Sequence, residues 1–177
     1  MSVLKIARLG HPVLRQVAEP IPPDQITSPE IQRLIADMLE TVVEYEGAGL
    51  AAPQVHQPLR IVVLSLDETD GFDVWINPVL TPTTDALIGT WEGCLSVPGM
   101  RGLVARPAGV EVKALGADGD PIHLILDGFS AVVAQHECDH LNGIIYVDLV
   151  EPGFLAFTDE LRRFGAPTME GEEGWEE

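Results

Sequence analysis

Apolar residues first recur at helical spacing between positions 29 and 47, where Ile31, Leu34, Ile35, Met38, Leu39, Val42 and Val43 mark one buried face. Ser28-Pro29-Glu30 supplies the start: a hydroxyl cap, a proline at the first helical position and an acid in the first turn. The pattern predicts that this helix stops near Gly47. Upstream, Gly10, Pro12, Pro20, Pro22 and Pro23 read as extended chain and turns. Downstream, residues 59–66 and 74–80 read as short strands, the second broken by Asn77-Pro78. Residues 110–115 and 121–126 flank Gly116-Ala117-Asp118-Gly119 as a hairpin. A second helix starts near Asp127 or Gly128 and closes on Asn142-Gly143, a left-handed cap. Residues 144–150 read as a strand, Glu151-Pro152-Gly153 as a break and 154–164 as a short final helix. Short strands ahead of the second helix, with helices flanking them, predict an α+β fold rather than an alternating parallel sheet.

The second helix carries His136-Glu137-Cys138-Asp139-His140, an H-E-x-x-H pattern. At about 100° and 1.5 Å per residue, the two imidazoles lie one turn apart on one stripe and can grip one metal ion. Glu137 flanks that stripe and can reach a water on the metal without ligating it. These are the parts of a metal-assisted hydrolase. Cys138 points about 200° round from His136 and reads as a small buried apolar side chain.

Composition narrows the setting. At 177 residues the chain is one domain, read as residues 1–165, and residues 166–177 as a solvated acidic tail that contains Trp175. Ten basic against 28 acidic residues give a net charge of −18, which argues against a bare electrostatic grip on nucleic acid or an anionic membrane. Cys94 and Cys138 are too few to staple a chain this large. The opening apolar run is too short for a secretory signal, and no segment is long enough to span a bilayer. A cytoplasmic protein is the expectation.

A catalytic metal needs a third protein ligand and an open position. A protease pattern that adds x-x-G-x-x-H after H-E-x-x-H meets Gly143 but then Tyr146, so it fails at a ligand. A glutamate from a later helix is a second option, with Glu160 at a tolerable distance. Cys94, between Gly93 and Leu95, is a third, since a thiolate binds borderline metals strongly. A purely structural metal clip would need a fourth protein ligand, and the chain offers no well-placed one.

Gly47-Ala48-Gly49-Leu50-Ala51-Ala52-Pro53-Gln54, Glu92-Gly93-Cys94-Leu95-Ser96 and Gln135-His136-Glu137-Cys138-Asp139-His140 together resemble the three signature motifs of the peptide deformylases, in order and at about the family's spacing. Gly10-His11-Pro12-Val13-Leu14-Arg15 is similar to the family's N-terminal pattern, so the resemblance runs from about residue 4 to 150. It implies an α+β fold with antiparallel strands packed around the motif helix and a second, N-terminal helix. It implies removal of the formyl group from formyl-methionyl nascent peptides, a step of protein biosynthesis. It also implies a divalent metal, commonly Fe2+, with Zn2+, Ni2+ or Co2+ able to take its place. Carried over by position, Cys94, His136 and His140 hold the metal and Glu137 is the acid/base. Gln54 and the Leu95 N–H hold the oxyanion. On that reading Val132, Val133 and Phe129 line the methionine slot. The main chain of Ala48, Gly49 and Gly93 binds an extended peptide, and Arg101 clamps Glu92, meets the peptide or makes a plain surface salt bridge. Two departures stand out. Ala48 replaces a larger aliphatic residue, which widens the groove. An acidic tail stands where relatives often carry a longer, sometimes basic helix, so no ribosomal docking through that end is expected.

Overall fold

The structure, a computed structural model, describes residues 2–66 and 71–167. Of the expected acidic tail, residues 168–177, including Trp175, lie outside the described residues. Helix α1 (Pro29–Glu44) begins as its sequence demands: the Ser28 hydroxyl accepts from the Ile31 N–H at 3.5 Å and Pro29 opens the first turn. There follow β1 (Gly49–Ala51), β2 (Ile61–Leu64), β3 (Asp73–Pro82), β4 (Leu87–Cys94), β5 (Val97–Pro107), β6 (Gly109–Leu115) and β7 (Pro121–Asp127). Helix α2 (Gly128–Leu141), strand β8 (Leu155–Phe157) and helix α3 (Thr158–Phe164) complete the order. All strand pairs are antiparallel, in a five-stranded sheet β1-β2-β3-β6-β7 and a three-stranded sheet β4-β5-β8.

The five-stranded sheet is covered on both faces, and β2 shows why its sequence lacks alternation. Ile61 and Val63 pack into a core with Ile35, Met38 and Val42 of α1. Val62 and Leu64 enter a second core with Trp75, Val112 and the α2 residues Ala131, Val133, Ala134 and Leu141. A strand buried on both sides reads as a continuous apolar run. Helix α2 is buried over most of its circumference, including His136, Glu137 and His140. Its C-terminal end is held by two cations, Arg60 donating to Leu141 O (3.4 Å) and Asn142 Oδ1 (3.1 Å), and Arg15 to Gly143 O (3.4 Å). Gly143 (φ 73°) makes the left-handed turn the sequence predicts.

Several expectations are corrected. Residues 74–80 are not broken at Asn77-Pro78: β3 runs through them with a register shift between Ile76 and Val79. Asn77 (φ 53°) steadies that bulge by exchanging two hydrogen bonds with the Ile21 backbone, at 2.8 and 2.9 Å. The expected strand over 144–150 is a loop with one 3-10 turn, Tyr146–Asp148. Its neighbours Ile145 and Tyr146 are both buried, which a half-buried strand cannot arrange, and Asp148 accepts from the Ile145 N–H at 2.9 Å. The expected helix over 154–164 begins as β8, because residues 155–157 pair with Met100, Arg101 and Gly102 on the open edge of β5. The long β4–β5 hairpin is absent from the sequence reading: Gly89, Gly93, Gly99 and Gly102 interrupt it, and many of its positions are exposed.

Candidate metal centre

Cys94 sits at the end of β4, where the β4–β5 register shifts between Gly93 and Cys94 and lifts the thiol out of the ladder. It meets the His136/His140 stripe of α2. The donor atoms of Cys94, His136 and His140 all lie within 4.8 Å of one another, and Cys94 Sγ is 3.3 Å from His140 Nε2. For ligand bonds of about 2.3 Å to sulfur and 2.1 Å to nitrogen, a tetrahedral site has an S···N edge of about 3.6 Å. The donors therefore fit one ion, and neither cysteine is in a disulfide.

The rings are aimed by what lies behind them. His136 Nδ1 is 2.7 Å from Glu92 Oε2, which leaves Nε2 for a metal. Glu92 receives a two-pronged grip from Arg106, at 2.5 Å from Nε and 3.0 Å from Nη2. The third arm of Arg106 reaches Asp139 at 2.8 Å, so the guanidinium ties β4 to α2. Tyr146 stacks on His136 at 6.0 Å between centroids, its hydroxyl donating to Met100 O at 3.1 Å. Burial works to depress His136, but the Cys94 thiol and Glu92 carboxylate hold its proton affinity well above the ordinary imidazole range. His140 is pushed well below that range by burial and by the charge of His136, which favours the neutral, ligating form. Its Nδ1 is buried without a hydrogen-bond partner.

Glu137 is 5% exposed, and burial raises its carboxyl to about 7 against the opposing pull of His136. Its Oε2 is buried without a partner. On the other side the carboxyl lies against β1, where a Cβ at Gly49 would stand 2.6 Å from Glu137 Oε1. Only glycine leaves room there. Gln54 uses both ends of its amide. Its oxygen accepts from the Ala51 N–H at 2.8 Å and secures its own loop, while its NH2 reaches Cys94 Sγ at 3.4 Å and Ser96 Oγ at 3.3 Å.

These groups open onto a cleft of about 1060 Å³, lined by Ala48, Gly49, Gln54, Gly93, Leu95, Phe129, Val132 and Val133 among others. Among the described residues both strands that border it, β1 and β4, pair on one side only, so each stands at the edge of its sheet.

Not every sequence candidate belongs here. Glu160 lies exposed on α3 and is not part of the converging donor set, which removes the metallopeptidase completion through that residue. Cys138 lines a separate cavity of about 350 Å³ behind α2, its thiol pushed far up by burial. Arg101 does not clamp Glu92; it donates to Trp91 O at 3.1 Å. Strand parity explains the exchange. Glu92 pairs with Gly102, and residues 102, 104 and 106 of β5 share a face that Arg101 does not. Arg106, Asp139 and Tyr146 were missed, although an arginine within an otherwise buried strand face was a usable signal for the first.

The sequence model of the polypeptide deformylase family matches residues 3–153. The chain is similar to peptide deformylase 1 of Prochlorococcus marinus (strain MIT 9313), 42% identical over 179 residues that cover 93% of this chain and 90% of the relative. It is 46% identical to the peptide deformylase of Stutzerimonas stutzeri (strain A1501), over 84% of this chain and 87% of that one. Among solved structures it resembles the peptide deformylase of Thermotoga maritima, with TM-score 0.81 and 34% identity over 86% of this chain and 100% of that one. It likewise resembles that of Synechococcus elongatus in complex with actinonin, with TM-score 0.78 and 41% identity over 85% and 80% of the two chains.

Proposed function

The chain belongs to the polypeptide deformylase family, and from that premise we propose that it is a metal-dependent hydrolase that removes the formyl group from formyl-methionyl nascent peptides and releases formate. The observation that carries this reading is the meeting of one thiol and two imidazoles beside a buried carboxyl that keeps an unpartnered oxygen.

A divalent ion held by Cys94, His136 and His140 would supply Lewis-acid activation of water and of the formyl carbonyl. The other roles fall to the chain. Glu137, with its carboxyl at about 7, takes a proton from the attacking water and returns it to the departing amine. The water oxygen ends in formate, and the peptide leaves with a free amine on its methionine. The Gln54 NH2, beside Cys94 Sγ at 3.4 Å, and the Leu95 N–H stabilise the negative charge that develops on the formyl oxygen, each by about 3 kcal/mol. The main chain of Gly49 and Gly93 on the outer edges of β1 and β4, with Ala48 just ahead of β1, takes the peptide in extended form. Val132 and Val133 receive the methionine side chain, which suits their place on the cleft wall.

Fe2+ is the metal we assign, with Zn2+, Ni2+ and Co2+ as substitutes that a thiolate and two imidazoles also accept. We place residues 1–165 in one catalytic unit, acting in the cytoplasm where nascent chains emerge. No helix among the described residues is long and apolar enough to cross a membrane. The test is Glu137→Ala: the variant retains metal and loses formate release from formyl-Met-Ala-Ser by about 10²- to 10⁴-fold. Undiminished turnover in the metal-loaded variant would defeat the assignment.

A further inference from the structure

Beyond the groups assigned above, the cleft wall carries cations that form no ion pair among the described residues. Lys5 and Arg8 both line the cleft and both are exposed. Neither belongs to any ion pair among the described residues. The backbone around Arg8 is fixed: the Ala7 N–H donates to Gln54 O at 2.7 Å and the Leu9 N–H to Ser96 O at 2.8 Å. Residue 8 is thus strapped across the segments that carry Gln54 and Cys94. Ala7 is buried beneath it, while Arg8 stands at the mouth. Beside them His11 and His56, also exposed and on the cleft wall, form an edge-to-face pair 4.7 Å apart.

The acidic groups of the same cleft are mostly committed elsewhere. Glu92 is consumed by Arg106 and His136, and Glu137 is buried. Glu46 is left to oppose Lys5, Arg8 and Arg101. This local excess of positive charge sits on a chain whose net charge is −18, with 28 acids against 10 bases. Over distances within a Debye length, about 10 Å, the local cations rather than the global charge set what an incoming segment feels.

An extended peptide added to a free strand edge projects successive side chains to alternate sides. Its first side chain enters the apolar slot, and the following ones pass the charged mouth. We propose that Lys5 and Arg8 form a specificity rim that favours formyl-methionyl peptides carrying aspartate or glutamate at the third and fourth positions over those carrying lysine or arginine there. The proposal rests on the deformylase reading above.

The test compares kcat/KM for formyl-Met-Ala-Asp-Asp, formyl-Met-Ala-Ser-Ser and formyl-Met-Ala-Lys-Lys amides by formate release, using the metal-loaded full chain. The expected acidic-to-basic ratio is about five- to tenfold, carried mainly by KM and shrinking at high salt. Lys5→Gln and Arg8→Gln lower the ratio stepwise, and Lys5→Glu with Arg8→Glu inverts it. Arg33→Glu with Lys113→Glu makes the same change of net charge at exposed sites away from the cleft, and leaves the ratio unchanged. A wild-type ratio near one would overturn the rim, as would an equal response to the two double substitutions. In either case formate release from the Ser-Ser peptide leaves the deformylase reading standing; its absence sinks both.

Discussion

In the five-stranded sheet, β2 sends Ile61 and Val63 into one core and Val62 and Leu64 into another, and every one of its residues is buried. In the three-stranded sheet, β4 buries Glu92 among half-buried and exposed neighbours and ends in the candidate ligand Cys94, while β5 buries Arg106. Helix α2 lies between these regimes, with Ala131, Ala134 and Leu141 against the first sheet and His136 bonded through Glu92 to the second. The first sheet holds the helix in place by apolar area, at about 25 cal/mol per Å² buried. The second turns that placement into a site through directional polar contacts. Such contacts are costly to bury and useful only when complete.

Substitutions in the two regions separate these contributions. The largest effect is expected from Cys94→Ala, which removes the one donor of the proposed metal site that does not come from α2. Metal content by elemental analysis falls to background and formate release is abolished, while the fold stays intact by circular dichroism. Full metal occupancy in that variant would break the division of labour between the sheets. Next comes Arg106→Leu, which takes the arginine from the buried carboxylate of Glu92, leaving it His136 alone, and from the half-buried carboxylate of Asp139. It is expected to cost about 3–5 kcal/mol in denaturant titration and to weaken metal binding by about 10- to 100-fold through the misaimed His136.

Leu64→Ala, wholly inside the first sheet's core, should cost about 2–5 kcal/mol of stability. Its metal affinity should remain at the wild-type value under conditions where it stays folded. A comparable loss of metal affinity would mean that the apolar sheet tunes the site directly. The smallest effect is expected at the exposed pair of Arg15 and Asp148. Arg15 holds the Asp148 carboxyl below its ordinary value of 3.8. A depressed carboxyl stabilises the fold above that value, and the contribution is lost as the pH falls through the lower, folded one. Solvent screening limits it to less than about 1 kcal/mol, so Asp148→Asn should differ from the wild type near neutral pH and converge with it in acid. A gap as large as that of Arg106→Leu would show that exposure does not distinguish the two ion pairs.

The same contrast governs what could be read in advance. Helix α1 with its Ser28 cap, the hairpin around residues 116–119 and helix α2 with its Gly143 cap all rest on local rules, and all are present at or near the expected boundaries. The β4–β5 hairpin leaves no readable pattern and the 144–150 segment misleads, because their glycines and paired buried residues answer to neighbours far away in sequence. Gly102 illustrates this: a Cβ there would come within 2.3 Å of the Val150 side chain. Arg106 goes unnoticed as the partner of Glu92, because nothing local reveals the face of a strand that the pattern does not mark as one.

By itself the sequence determined the chemistry on offer: two imidazoles one helical turn apart, an adjacent carboxyl, a thiol between small residues and an amide after a glycine-rich turn. Each depends on residue type and short-range periodicity, which the chain carries wherever it lies. Only the tertiary structure decided which thiol meets the imidazoles, that Arg106 and Glu92 aim His136, that Gly49 makes room for Glu137, and that Lys5 and Arg8 border the cleft. Those facts are distances between segments 40 or more residues apart in several cases, such as Gln54 with Cys94 and Cys94 with His140. They are set by how two sheets pack against one helix, and no local rule encodes such packing.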